Sequence, residues 1–357
     1  MGDMAGGRTI VLLMSGGVDS SVAALLLLRE GWRVLGLTLR IPGVWGGPGE
    51  AGNGPPVEAG ASAARMAGVL GIPHRILDAG ETFRARVIAP FLRDYREGRT
   101  PNPCADCNRS IKFGLLMDAA AEWAGDARVP VATGHYARIL LTPSGARLAR
   151  ARDEGRDQSY FLCDVDRARL ARVRFPLGEL TKPQVREIAH DAGLPAAERP
   201  DSMEVCFLAG TDYREWVGDA GPGPIRDEKG QLLGHHSGLS RYTPGQRQGL
   251  GIAAPHPLYV LRLDVPHNAL VVGPKEAAFR TVVNAARPNL LAPELLGERD
   301  GLAGKTRSRS PLAPCRILSL GGAELSVAFE RPQFAPAPGQ RLTLYRGEVL
   351  AASGVIV

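Results

Sequence analysis

The sequence predicts an α/β fold in which helices cover both faces of a parallel sheet, followed by a small central domain and a C-terminal β-barrel or sandwich. Three observations predict it. Short apolar runs alternate with helix-length runs from Thr9 to about Pro200, helical periodicity fades beyond Asp201, and the remaining chain divides into short β-type runs broken by Gly and Pro. Alternating strands and helices imply parallel pairing, with ligands received beyond the carboxyl ends of the strands.

Taken in order, residues 8–13 read as a buried strand, 20–30 as a helix ended by Gly31, and 33–39 as a second strand. Residues 57–70 read as a helix, 74–78 as a strand, 81–97 as a helix interrupted near Pro90, 111–123 as a helix and 129–133 as a strand. Thr181-Lys182-Pro183-Gln184 has the form of a capping box, opening a helix that Gly193 stops. Residues 220–224, Ala-Gly-Pro-Gly-Pro, read as a connector. Beyond it, strands are expected at 258–263, 269–272, 279–284, 316–319, 324–329, 341–345 and 349–357. Domains are accordingly expected at 1–210, 211–273 and 274–357. Residues 42–56 hold six Gly and four Pro, which predicts a mobile loop and a candidate lid.

Hydrophobic residues at 44% and charged residues at 22% exclude a disordered chain. The longest strongly apolar run, 22–28, is far short of the ~18 residues a membrane span needs, and residues 1–8 lack an apolar signal region. A cytoplasmic protein with no membrane partner is the expectation. Five cysteines are too few and too odd a set for a secreted disulfide framework. The net charge of +6 is concentrated: residues 138–174 hold nine Arg against five acids, and 302–346 hold seven Lys plus Arg against two acids. Two basic regions suit a polyanion larger than a nucleotide.

The strongest motif is Ser15-Gly16-Gly17-Val18-Asp19-Ser20-Ser21, between the first strand and the first helix. Its glycines let the backbone turn tightly and approach an anion, while helix-start N–H groups and the Ser15, Ser20 and Ser21 hydroxyls address phosphate. It lacks the Gly-Lys-Ser/Thr ending of a loop that transfers a γ-phosphate. A different use of ATP follows, with pyrophosphate held and AMP transferred. Asp19 is the expected Mg²⁺ ligand, because hard oxygen donors suit that ion. The string resembles the pyrophosphatase loop (PP-loop) of the adenine nucleotide α-hydrolase-like superfamily, whose substrates include amino acids, nucleotides, NAD precursors and tRNA bases.

Residues 100–108, Thr-Pro-Asn-Pro-Cys-Ala-Asp-Cys-Asn, set Cys104 and Cys107 three residues apart, just before a helix expected near Arg109. A helix dipole and the cations Arg109 or Lys112 would favour a Cys107 thiolate. No second CxxC or His pair supplies the four ligands of structural zinc. Cys206 follows in residues 201–207, Asp-Ser-Met-Glu-Val-Cys-Phe, whereas Cys163 and Cys315 sit in apolar settings and read as core. His235, His236, His256 and His267 lack metal spacing and read as structural, and residues 242–246 as shaping an interdomain connection.

These strings, together with 132–138 (Ala-Thr-Gly-His-Tyr-Ala-Arg), 157–162 (Asp-Gln-Ser-Tyr-Phe-Leu), 241–247 (Arg-Tyr-Thr-Pro-Gly-Gln-Arg), 249–252 (Gly-Leu-Gly-Ile) and 338–340 (Pro-Gly-Gln), resemble the tRNA-specific 2-thiouridylase family over nearly the whole chain. The resemblance implies a C-terminal β-barrel and 2-thiolation of the wobble uridine of tRNAs for Lys, Glu and Gln, with AMP and pyrophosphate released. It implies ATP contacts from Leu13, Met14, Ser15, Gly16, Gly17, Val18, Asp19 and Ser20, with Leu39 and Gly134 flanking the adenine. Asn102, Pro103 and Cys104 would surround the flipped target base, and His135, Arg156, Asp157, Gln158, Arg307, Ser308 and Gln340 would touch tRNA. Cys206 would carry a persulfide from a cysteine desulfurase or sulfur-relay protein, Cys107 would act as nucleophile, and a Cys107–Cys206 disulfide would close the cycle. One departure stands out: some members carry Asp, a candidate general base, where this chain has Cys104. Asp106 is the substitute base, and the alternative role for Cys104, Cys107 and Cys206 is to hold three corners of an iron-sulfur cluster.

Overall fold

Strand β1 (Thr9–Leu13) lies at the centre of a five-stranded parallel sheet of order β3-β2-β1-β4-β7, with β2 Arg33–Arg40, β3 His74–Asp78, β4 Val131–Thr133 and β7 Val173–Arg174. All residues named here belong to a computed structural model that describes residues 8–41, 56–198, 205–208, 212–218, 221–297 and 301–357. Residues 42–55 of the candidate lid expected at 42–56, and residues 201–204, lie outside the described residues, whereas Pro56 opens a helix. Ile10, Val11 and Leu12 are fully buried, as continuous apolar strands between helical layers must be. Helix α1 (Val18–Arg29) and α2 (Pro56–Leu70) follow β1 and β2, and their apolar faces join Ile10, Leu12 and Val34 in one core. Sheet order runs outward from β1 to β3 and then reverses to β4, which makes the β1/β4 boundary the switch point where such sheets receive ligands.

The helix expected at 81–97 is three pieces: α3 (Gly80–Phe83), a π-helical turn Arg84–Ile88, and α4 (Ala89–Arg96). Pro90 falls in the first turn of α4, where its missing N–H costs nothing. The helix expected at 111–123 begins earlier, as α5 (Pro103–Cys107), and runs through a π-helical segment Asn108–Leu115 into α6 (Leu116–Ala124). A short α7 (Arg167–Leu170) precedes α8 (Lys182–Asp191), where the expected capping box is present: Gln184 Oε1 accepts from Thr181 N at 2.9 Å.

Two compact units share the chain: Met1–Arg86, Cys104–Ala209 and Glu348–Leu350 in the first, Val87–Pro103, Gly210–Gly347 and Ala351–Val357 in the second. The first unit also carries a hairpin, β5 (Ala137–Thr142) and β6 (Gly145–Arg150), on which Val349 pairs with Ala149. In the second unit α9 (Tyr213–Val217) precedes a sheet of order β10-β11-β8-β9, from β8 Gly223–Arg226, β9 Leu232–His236, β10 Tyr259–Asp264 and β11 Ala269–Gly273. The connector expected at 220–224 is therefore corrected, because β8 starts inside it and pairs with β9. Six strands then close a barrel: β12 Phe279–Leu290, β13 Leu302–Lys305, β14 Ala313–Gly321, β15 Glu324–Phe334, β16 Arg341–Arg346 and β17 Val349–Ile356. Closure comes from β12, which pairs with β15 on one side and β17 on the other, leaving no free edge. Leu325, Val327 and Phe329 alternate inward on β15 into the barrel core.

Candidate active site

The motif at 15–21 occupies the β1/β4 switch point. Gly17 caps α1 with no side-chain hydrogen bond, so the first-turn N–H groups stay open to an anion. The serines hold the loop's shape: Ser20 Oγ donates to Gly17 O at 3.0 Å, Ser21 Oγ to the same oxygen at 2.9 Å, and Ser15 N to Ser20 Oγ at 3.3 Å. Thr38 Oγ1 donates to Met14 O at 2.9 Å from β2. Gly16 has φ +79°, and a Cβ there would lie 2.6 Å from Ala63 N at the α2 backbone, so only glycine fits. Gly134, after β4, comes equally close to α1: its Cβ would lie 2.9 Å from the Asp19 carbonyl carbon and from Ser20 N. Leu39 lies near the end of β2 and is half-buried.

Asp19 Oδ1 accepts from Lys182 Nζ at 2.7 Å and from Tyr136 OH at 2.9 Å. The Lys182 side chain is 7% exposed and Asp19 is 34% exposed, so a buried cation stands at the mouth of the phosphate loop. Sequence reasoning saw Lys182 only as the first residue of α8. Both hydrogen bonds fall on Oδ1, which leaves Oδ2 for a hard cation. One carboxylate oxygen with phosphate oxygens is a donor set that fits Mg²⁺.

Cys104 and Cys206 are exposed, Cys107 is buried, and all three are free thiols. Although Cys104 and Cys206 reach the surface, surrounding protein desolvates each thiol and pushes all three up, Cys107 to about 12, with Cys107 raised further by Cys206 and Cys104. Thiols remote in sequence therefore lie within one another's field. The thiolate expected from a helix dipole is corrected. Because α5 starts at Pro103, Cys107 is its fifth residue rather than its first, and desolvation outweighs the Lys112 cation, which does act in the expected direction. Among the described residues no three His, Cys, Asp or Glu side chains are grouped to hold a metal. As they stand in this structure, the three thiols do not fit the cluster ligand set.

Family models match in series: tRNA methyl transferase HUP domain over residues 8–210, tRNA methyl transferase PRC-barrel domain over 214–274 and aminomethyltransferase beta-barrel domain over 280–356. The tRNA-specific 2-thiouridylase MnmA of Desulforudis audaxviator (strain MP104C) is 43% identical, covering 98% of this chain and 98% of its own. MnmA 1 of Syntrophus aciditrophicus (strain SB) is 42% identical over 98% of this chain and 92% of its own. The chain belongs to the tRNA-specific 2-thiouridylase family. A solved 4-thiouridine synthetase–RNA complex with bound ATP gives a weaker likeness, 21% identical with a TM-score of 0.35, over 57% of this chain and 45% of that one.

Within this thiouridylase the residues expected on tRNA divide in two. Arg156 is exposed and Ser308 half-exposed. Others are engaged in hydrogen bonds inside the protein. The Asp157 side chain is 2% exposed and accepts from Ala151 N, Ser159 N and Ser159 Oγ at 2.9–3.2 Å. Gln158 Oε1 accepts from Tyr136 N at 2.9 Å. Arg307 Nη2 donates to Pro244 O at 2.6 Å and Ala335 O at 2.7 Å. His135 meets Lys112 and Thr133 through its two ring nitrogens. Gln340 Nε2 donates to Thr100 O and Pro101 O, each at 3.0 Å, fastening the segment that leads to buried Asn102 and Pro103. His236 is structural as expected, accepting from Gly238 N at 3.1 Å. No described helix is long and apolar enough to cross a membrane.

Proposed function

We infer that this thiouridylase catalyses ATP-dependent 2-thiolation of tRNA uridine, adenylating the base and inserting sulfur from a cysteine persulfide. The observation that carries the sulfur step is the mutual field of Cys104, Cys107 and Cys206 in the unit that also holds the phosphate loop. Uridine O2 is a poor leaving group, and transfer of AMP onto it makes a good one. Residues 13–20 hold the departing pyrophosphate through loop N–H groups, and Lys182 neutralises charge developing there. Mg²⁺, held by Asp19 with the phosphate oxygens, would add charge stabilisation to the same pyrophosphate. Leu39 and Gly134 border the adenine.

Sulfur then arrives on Cys206 as a persulfide, donated by a cysteine desulfurase or relay protein. The Cys107 thiolate attacks the Cys206 sulfur, a Cys107–Cys206 bond forms, and hydrosulfide leaves with the electron pair. Hydrosulfide adds to C2 of the adenylated base, its proton passes to solvent, and the C–O bond breaks to expel AMP. A cellular dithiol reduces the disulfide. Asp106, adjacent to Cys107 in the chain and acting on Cys104 and Cys107, is the carboxylate available to take a proton. Asn102, Pro103 and Cys104 surround the flipped base, residues 1–210 form the catalytic domain, 211–273 the connecting domain and 274–357 the tRNA-binding barrel. The substrates are the wobble uridines of tRNAs for Lys, Glu and Gln, and the compartment is the cytoplasm, where those tRNAs work.

A single-turnover assay with iron-free, pre-persulfidated protein, ATP and tRNA tests this. One AMP per 2-thiouridine is expected, with AMP release dependent on tRNA and no product from Cys107→Ser. Full thiolation by Cys107→Ser, or AMP release indifferent to tRNA, overturns it.

A further inference from the structure

So far Lys112 has appeared only as a cation acting on Cys107. It sits on the π-helical segment Asn108–Leu115 directly after Cys107. A π turn, closed by i→i+5 bonds, brings the fifth residue back over its start, so Lys112 returns toward Cys107. Its Nζ lies 3.1 Å from His135 Nε2, and His135 Nδ1 lies 2.6 Å from Thr133 Oγ1. An ammonium only donates, so Nε2 accepts and Nδ1 carries the proton shared with Thr133. Phe113 and Phe175 flank the imidazole, with ring centroids at 6.2 and 6.1 Å. Burial and the adjacent Lys112 charge hold the His135 pKa well below its ordinary value, so the ring stays a neutral acceptor.

The charged and titratable groups acting on the thiols are few. Lys112 and Asp106 act on Cys104; Lys112, Cys206, Cys104 and Asp106 act on Cys107; Lys112 and Cys104 act on Cys206. Lys112 is the cation common to all three, and Asp106 opposes it at two. We propose that Lys112, held by His135 and Thr133, is the positioning residue of the sulfur site, its ammonium stabilising whichever of the three sulfurs carries the negative charge. Removing it leaves burial, Asp106 and the neighbouring sulfurs opposed only at Cys206, by the backbone N–H groups of Cys206 and Phe207. This inference rests on the sulfur-transfer reading for its purpose, and its test is independent of turnover.

Peptide-resolved alkylation by iodoacetamide, on the full chain without tRNA, reads thiolate content at each cysteine from pH 7 to 10. Lys112→Met should slow Cys104, Cys107 and Cys206 by roughly tenfold at pH 8 and displace their profiles to higher pH, as loss of a nearby cation requires. Cys163 and Cys315, fully or nearly buried elsewhere, should not change. Lys112→Arg should react as wild type, and Lys112→Gln provides a polar replacement if methionine disturbs packing. The proposal is overturned if the three thiols keep their rates in Lys112→Met and Lys112→Gln, if all five cysteines change together in both, or if Lys112→Arg behaves like Lys112→Met. Thiolation of tRNA by wild-type protein is measured in parallel; its absence sinks the sulfur-transfer reading and leaves the alkylation contrast to judge Lys112.

Discussion

Asp19 and Lys182 show how a candidate site assembles from residues that no local pattern links. The two meet at 2.7 Å across 163 positions of chain, and Lys182 is nearly enclosed. Removing one member of such a pair leaves the other charge in a poor environment. Lys182→Met should therefore cost about 1–3 kcal/mol of stability and slow tRNA-dependent AMP release by roughly a hundredfold, as loss of one preorganised electrostatic group does. Urea unfolding and an AMP-release assay check the two effects; release at the wild-type rate would remove Lys182 from the phosphate site. The loop itself was legible, because Ser-Gly-Gly-Val-Asp-Ser-Ser is contiguous and the bonds its serines make to one another and to Gly17 span five residues or fewer. Lys182 was not, because the capping box around it fully accounts for its place in sequence. The same division separates Cys104 and Cys107, whose spacing is visible, from the elevated Cys107 thiol, which burial decides and spacing cannot reveal.

At the scale of elements, the pocket depends on how closely β4 and α1 approach. Gly134 directly follows β4, and a Cβ there would meet the Asp19–Ser20 main chain at 2.9 Å. Backbone cannot swing aside as a flexible side chain can. Gly134→Ala is expected to push the two elements apart, costing about 1–3 kcal/mol and weakening ATP binding about tenfold, measurable by calorimetry and a thermal melt. Unchanged ATP affinity would show that this approach does not shape the nucleotide site. Elements with a clear period were legible: β1, β2, β3 and α8 fall within two residues of expectation. Those missed have local composition that argues against them. β8 begins at Gly223-Pro224, residues that punctuate turns, and becomes a strand only because β9 and β11 pair with it. The β5–β6 hairpin shows in the sequence only as part of the basic region 138–174, and two of its arginines, Arg138 and Arg150, hold carboxylates.

At the scale of the molecule, the two basic regions behave differently. In the first unit Arg138 contacts Glu179 and Glu348, Arg150 contacts Glu154 and Asp157, and Arg169 contacts Asp118. Three of the nine arginines at 138–174 are thus paired with carboxylates within the fold. In the barrel, Arg309, Arg316 and Arg331 are exposed, and residues 302–346 hold only two acids. Counterions condensed on tRNA are released in proportion to the phosphates a protein neutralises, giving a slope of roughly 0.7–0.9 per contact in log affinity against log salt. Arg316→Ser with Arg331→Ser should then reduce that slope by about 1.5 while leaving the thermal melt unchanged, because neither side chain is buried. Arg138→Ser should do the reverse: its Nε also donates to Arg150 O at 2.6 Å, so stability falls by about 1 kcal/mol and the salt slope barely moves. Binding titrations between 50 and 300 mM salt distinguish the two. An unaltered slope in the barrel double variant, or a large change in Arg138→Ser, would transfer the tRNA-facing surface from the barrel to the first unit.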